Sequence, residues 1–183
     1  MDIFIETERL QMRPLSMADD QDMFEMSIDP EVHKYIGNKP YQTIEQSRGT
    51  IAAIMQQYAD FGIGRWAIVE KATNKFVGWT GLKLMKERVN GHIDHYDFGY
   101  RLARKFWGKG YATESGRASL QYGADVMKLK EIYAMTDINN GGSRRVLEKL
   151  GFAYIETFIF EEGSAWRKAG EPATWYKWIA PGN

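Results

Sequence analysis

The chain of 183 residues contains no cysteine. That absence excludes disulfide bonds, metal sites built on thiolates, and covalent catalysis by a cysteine side chain. Excess charge is also absent, because 24 Lys and Arg residues balance 24 Asp and Glu residues. Without a global field, binding to nucleic acid or to an anionic membrane surface is not expected.

Long apolar runs are missing as well, since no stretch approaches the roughly 18 apolar residues that span a bilayer. The first residues, Met1 to Glu6, are too acidic and too short in apolar run for a signal peptide. We therefore expect a cytoplasmic protein. Its apolar fraction of 44% and charged fraction of 26% are typical of a globular chain, and residues 1–183 are predicted to form a single domain.

The pattern of apolar and breaking residues predicts the order strand, two helices, three strands, helix, strand, helix, two strands. A capping box at Thr43–Gln46 begins the second helix, and Gly62 and Gly64 end it. Later helices are predicted from about Tyr111 to Val126 and from Ser143 to Leu150. This order predicts an α/β fold with a mixed, mostly antiparallel central sheet flanked by helices.

The segment from Asp97 to Glu114 reads as a strand, a glycine loop and the start of a helix. The first turn of a helix presents unpaired N–H groups, and glycines let such a backbone approach a phosphate closely. Lys105 and Lys109 add positive charge. The segment therefore has the chemistry of a diphosphate cradle, although an ordinary strand-to-helix turn would look similar.

Spacing separates the families that use such a cradle. A P-loop requires Ser or Thr after G-K, but Gly110 follows Gly108-Lys109; a dinucleotide fingerprint requires a third glycine where Thr113 stands. The run from Lys105 to Gly110 resembles instead the [QR]-x-x-G-x-[GA] motif of the GNAT superfamily of N-acetyltransferases, with Lys in the first position.

Three further segments extend the resemblance over nearly the whole chain. Thr7 to Arg13 is similar to the opening strand of the branch that acetylates ribosomal-protein N-termini (the RimJ/RimL-like branch). Phe98-Gly99-Tyr100 followed by 107–114 resembles its central motif, and 140–152 resembles its N-x-x-S-x-x-x-x-E-K-x-G-F helix. The resemblance implies a GNAT fold and an acyltransferase that moves acetyl from acetyl-CoA to an amine, without a metal.

The resemblance also implies a set of acetyl-CoA-binding residues. They lie on the strand that pairs with the pantetheine arm, in the glycine loop and at the start of the helix after Asn140: Phe98, Tyr100, Arg101, Leu102, Lys105, Trp107, Gly108, Lys109, Gly110, Tyr111, Ala112, Thr113, Asn140 and Ser143.

For catalysis, the resemblance implies a main-chain N–H on this strand that stabilises the oxyanion, Asp97 as general base, and Ser143 as the partner of the departing thiolate. Direct transfer in a ternary complex agrees with the absence of cysteine. Other interpretations stay open: Asp97 as a salt-bridge partner or solvated strand residue, bulk water in place of a dedicated base, and Asn140 and Ser143 as helix caps.

Two functions remain at this point: the N-acetyltransferase, and a non-catalytic acyl-CoA-binding module of the same fold. The acceptor is either a protein or peptide N-terminus or a small-molecule amine. The sequence does not choose between these acceptors, and it leaves a homodimer open.

Overall fold

A computed structural model describes residues 4–161 and 169–182. Its centre is one eight-stranded sheet with the spatial order β1-β2-β3-β4-β5-β6-β8-β7. The strands are β1 (Ile5–Glu6), β2 (Leu10–Pro14), β3 (Arg65–Glu70), β4 (Lys75–Met85), β5 (His95–Leu102), β6 (Glu131–Asp137), β7 (Ala153–Ile159) and β8 (Pro172–Ile179). All neighbouring strands are antiparallel except β5 and β6.

Five α-helices accompany the sheet: α1 (Asp20–Ser27), α2 (Pro30–His33), α3 (Ile44–Phe61), α4 (Tyr111–Asp125) and α5 (Gly141–Lys149). Short 3₁₀ turns precede α1 and α4 at Met17–Asp19 and Arg104–Phe106. In the described part of the chain, no helix is both long and apolar enough to cross a bilayer.

The sheet separates two apolar layers. On one face, α4 and α5 contribute Leu120 and Leu147 to an apolar cluster that also contains Trp66 and Ile68 of β3. On the other face, α1 and α3 contribute to a second cluster, which contains Ala67, between those two residues on the same strand. Side chains alternate along a strand, so β3 is buried on both faces, and the middle of its sequence is an unbroken apolar run.

The predicted fold class is confirmed, and most predicted elements are present. The capping box at Thr43 forms, Gly62 ends α3 in the left-handed conformation, and β6 has its predicted bounds. The short elements β1 and α2 were not predicted. Two or four residues carry too little periodicity to stand out from loops.

Candidate active site

The parallel strands β5 and β6 diverge almost as soon as they meet. Their register contains one pair, Asp97 with Tyr133, whereas the other edge of β5 stays paired with β4 as far as Leu102. Backbone groups of β5 beyond Asp97 therefore face a gap instead of a neighbouring strand. Such groups require another partner, and an extended ligand lying in the gap can provide one.

A cavity of about 480 Å³ opens into this gap. It is of the size found for small-molecule sites. Phe98 to Arg101 line one side and Met135 to Asp137 the other. The lining continues across β3 and β4 to α3, so the cavity reaches from the gap to the layer of α1 and α3.

The glycine loop lies at the N-terminus of α4, outside the lining of this cavity. Gly108 and Gly110 have φ values of 74° and 82°, a conformation that side chains with a Cβ rarely adopt. A Cβ at Gly108 would meet no atom within 4 Å. Backbone geometry therefore requires glycine here, and the space beside Gly108 is open. The N–H groups of Tyr111, Ala112 and Thr113 belong to the first turn, where no intrahelical acceptor exists.

Arg9 and Glu114 hold this loop in place. Arg9 donates to both carboxylate oxygens of Glu114, from its backbone N–H at 2.9 Å and from Nε at 2.7 Å. Its Nη1 also donates to the carbonyl oxygen of Lys109 at 3.0 Å, and its guanidinium lies 4.6 Å from the centre of the Tyr111 ring. A residue far from the loop in sequence thereby fixes the loop conformation.

The two lysines of the loop are exposed and differ in their surroundings. Their Nζ atoms lie 5.4 Å (Lys105) and 5.2 Å (Lys109) from the centre of the Phe106 ring. Lys105 also lines a second cavity of about 210 Å³, together with Asp22 and Glu25. Lys105 therefore has acidic neighbours within the chain.

Asp97 is buried in an ion pair with Arg65, and these two residues are 5% and 8% exposed. Arg65 Nη2 donates to Asp97 Oδ2, and Nη1 donates to the carbonyl oxygens of Gly81 and Asp97. Oδ1 of Asp97 accepts no hydrogen bond from the described residues. A Cβ at Gly99 would stand 2.8 Å from Arg65 Nη2, so this glycine makes room for the guanidinium.

Lys83 lies opposite Asp97 on β4 and also lines the cavity. Burial, followed by repulsion from Arg65, lowers the pKa of Lys83 to about 8. Its charge is therefore sensitive to the contents of the cavity near neutral pH.

Ser143 and Tyr100 meet where α5 begins. Burial raises the pKa of Tyr100, and a hydrogen bond with the Ser143 side chain opposes that shift. Asn140 is the N-cap of α5, and its Oδ1 accepts the N–H of Ser143 at 3.0 Å. The capping interpretation of Asn140 is thus confirmed. Both Asn140 and Ser143 also line the cavity, which leaves Ser143 Oγ beside the gap.

The structure divides the predicted site residues into two groups. The cavity brings together Asp97, Phe98, Tyr100, Arg101, Asn140 and Ser143. The loop residues and Leu102 lie outside its lining: Leu102, Lys105, Trp107, Gly108, Lys109, Gly110, Tyr111, Ala112 and Thr113. Phe98 and Leu102 are core residues, 2% and 5% exposed, and Trp107 Nε1 ties the loop to β5 by donating to the carbonyl oxygen of Leu102 at 2.8 Å.

Sequence reasoning missed Arg65 and Lys83, which line the cavity. A signal did exist for Arg65, because an arginine beginning an otherwise apolar, buried strand needs a partner. Within residues 4–161 and 169–182, no cluster of three His, Cys, Asp or Glu side chains is arranged to hold a metal ion.

Known proteins with similar sequences are acetyltransferases. A family model described as "Acetyltransferase (GNAT) domain" matches residues 9–153. A Bacillus licheniformis protein described as uncharacterized N-acetyltransferase p20 is 31% identical over 146 residues, covering 80% of each chain. An Aspergillus fumigatus protein described as FsC-acetyl coenzyme A-N(2)-transacetylase is 30% identical over 159 residues, covering 85% of this chain and 67% of that protein.

Solved structures agree. An acetyltransferase of the GNAT family from Bacillus anthracis superposes with a TM-score of 0.77 at 27% identity, covering 97% of this chain and 98% of that one. A structure described as a putative ribosomal-protein-serine acetyltransferase from Vibrio cholerae shares the fold with a TM-score of 0.79 at 14% identity, covering 98% of each chain. The chain therefore belongs to the GNAT superfamily of acetyltransferases, whose members use acetyl-CoA as co-substrate.

Proposed function

We propose that this chain transfers an acetyl group from acetyl-CoA directly to a primary amine held in the cavity beside β5. The observation that carries the proposal is the gap between β5 and β6, which joins the cavity and has Ser143 on its border. In this proposal residues 1–183 act as one catalytic domain in the cytoplasm. The proposal includes membership of the RimJ/RimL-like branch of the superfamily, which the motifs of the sequence support.

Two parts of the chain are proposed to bind acetyl-CoA. The positive φ of Gly108 and Gly110 turns the loop so that the first N–H groups of α4 are presented together, where they suit a diphosphate. Lys109 adds charge there. The unpaired edge of β5 suits the amide groups of the pantetheine arm, which brings the thioester to Phe98–Arg101.

The chemistry requires one proton to leave the amine and one to reach the sulfur. As nitrogen attacks the thioester carbon, a backbone N–H of β5 stabilises the oxyanion, and the C–S bond then breaks. Asp97 Oδ1 is proposed to accept the amine proton, directly or through water. Ser143, which lies beside Tyr100, is proposed to donate a hydrogen bond to the departing thiolate, which takes its proton from water.

The pairing with Arg65 fits this role for Asp97. Because Arg65 binds Oδ2, the carboxylate is held in one orientation, while Oδ1 remains available. A purely structural ion pair would have the same geometry. The direct, ternary-complex route is supported by the sequence, which offers no cysteine to carry the acetyl group.

Thiol release from acetyl-CoA with a panel of primary amines, read together with mass spectrometry of the amines, tests the proposal. We expect thiol release that depends on an amine and falls in Ser143→Ala. A non-catalytic acyl-CoA-binding module would instead be stabilised by millimolar acetyl-CoA in a thermal-shift titration, relative to an ADP control, yet release no thiol with any amine.

A further inference from the structure

The part of the cavity that faces α3 contains a second arginine, Arg101. It follows Asp97 by four residues on β5, so both side chains leave the same face of the sheet. Its guanidinium lies 5.2 Å from the centre of the Trp79 ring, on the paired position of β4. Its polar partner is the hydroxyl of Tyr41, which also shares a hydrogen bond of 2.6 Å with Thr50 Oγ1.

Arg101 has no carboxylate partner among the described residues. Burial lowers the pKa of Arg101 from its ordinary value, which marks a poorly hydrated guanidinium. An arginine nevertheless keeps its proton in proteins. One hydroxyl and one aromatic face are weak compensation for a half-buried cation in a cavity, for which an anion is the better partner.

The other charged side chains that the structure describes in the cavity form no ion pair with Arg101. Asp97 is bound by Arg65, and Asp137 lies at the far end of β6, where its Oδ1 accepts the N–H of Asn139 at 2.8 Å. Lys83 adds a third cationic side chain to the lining. Among the described residues that line the cavity, cations thus outnumber carboxylates three to two, although the whole chain is neutral.

Trp79 supplies a further donor without an acceptor. Its indole Nε1 is buried and makes no hydrogen bond to the described residues, while its ring lies 5.7 Å from the Arg65 guanidinium and beside that of Arg101. The groups around Trp79 are therefore donors and cations, and an oxyacid group is their chemical complement.

We propose that the acceptor is a small amine that also carries an anionic oxyacid group, a carboxylate or a phosphate, and that Arg101 binds this group. The proposal rests on the proposed function, and it names the substrate class of the same site. The fork of the guanidinium matches either oxyanion through two parallel hydrogen bonds. A polycationic acceptor such as a polyamine would meet like charge at this position.

Kinetics with matched pairs of amines test the proposal. Each α-amino acid is compared with its decarboxylated amine, and O-phosphoethanolamine with ethanolamine; spermidine is the polycation. We expect the anionic member of the best pair to have a kcat/KM on the order of 10²-fold or more above its neutral counterpart. The two kinds of pair distinguish a carboxylate from a phosphate.

The variant Arg101→Met should reduce that preference to within a few-fold, mainly through KM for the anionic acceptor, and Arg101→Lys should restore part of it. Because the lost cation has no counter-ion, Arg101→Met is expected to be at least as stable as wild type. Arg117→Met is the matched control: this arginine is exposed on α4 and outside the cavity lining, so the preference should stay as in wild type.

Equal or better use of neutral amines or spermidine would overturn the proposal while leaving the acetyltransferase function intact. A preference for the anionic member that survives in Arg101→Met would also overturn it. Binding of acetyl-CoA without acetylation of any amine would overturn the proposed function and this inference together.

Discussion

The buried pair of Arg65 and Asp97 gives the most demanding prediction. Changing Arg65 to Met removes the bonds to Gly81 and Asp97 and leaves a carboxylate buried without its cation. Breaking a buried pair in this way costs about 3–5 kcal/mol. A domain is stable by roughly 5–15 kcal/mol, so we expect Arg65→Met to lose about a fifth or more of its free energy of unfolding.

A double-mutant cycle measured by urea unfolding isolates the pair. Asp97→Asn should also destabilise, and the double variant should be more stable than the sum of the two losses predicts, by about 1–3 kcal/mol. Arg48→Met breaks an ion pair with Asp20 in which the arginine side chain is 51% exposed. That control should cost less than about 1 kcal/mol. Additive losses, or an Arg65→Met variant as stable as the control, would refute the reasoning.

The variant Asp97→Asn also tests whether Asp97 accepts a proton during catalysis or serves only as a structural anion. If Asp97 accepts the amine proton, Asp97→Asn should lower turnover by about 10²–10⁴ and remove the acidic limb of the pH–rate profile. Affinity for acetyl-CoA should stay near that of wild type. A pH–rate profile identical to wild type would limit Asp97 to holding Arg65 and leave water as the base.

Three further outcomes are expected. Gly110→Val should weaken acetyl-CoA binding more than folding, because Gly110 has a φ of 82° and begins the first turn of α4; thermal shifts with and without acetyl-CoA measure both. Ser143→Ala should lower turnover more than acetyl-CoA affinity, since the thiolate appears late in the reaction. Burial lowers the pKa of His33 to about 4. As pH falls below 6.5, His33 is therefore protonated in the unfolded chain but not in the folded one, and this protonation favours unfolding. Between pH 7 and pH 5, the free energy of unfolding of His33→Phe should therefore fall by about 2 kcal/mol less than that of wild type. Urea unfolding at the two pH values measures the difference.

Local signals in the sequence predicted much of the fold. The capping box at Thr43, the left-handed glycine at position 62, and the glycine loop before Tyr111 depend on residues within a few positions of each other. Such features persist regardless of what packs around them. Periodicity then identified the long helices and the buried strands.

Contacts between distant residues were not predictable in the same way. The pairing of Arg9 with Glu114 and of Arg65 with Asp97 depends on strand order and register, which no local pattern encodes. For the same reason, alternation along β5 indicated which residues share a face with Asp97 but not that Arg101 would reach Tyr41. The sequence of 161–167 also predicts a hairpin or lid loop, and this segment lies almost wholly outside the described residues.

A mass balance on the best acceptor tests the central claim most directly. Enzyme, acetyl-CoA and amine are mixed, and released thiol, acetylated amine and protein-bound acetyl are quantified together. The account predicts one thiol for each amide formed, only when both substrates are present, and no acetyl group on the protein. Acetyl groups that accumulate on the chain, or thiol release without amide, would contradict direct transfer to an amine.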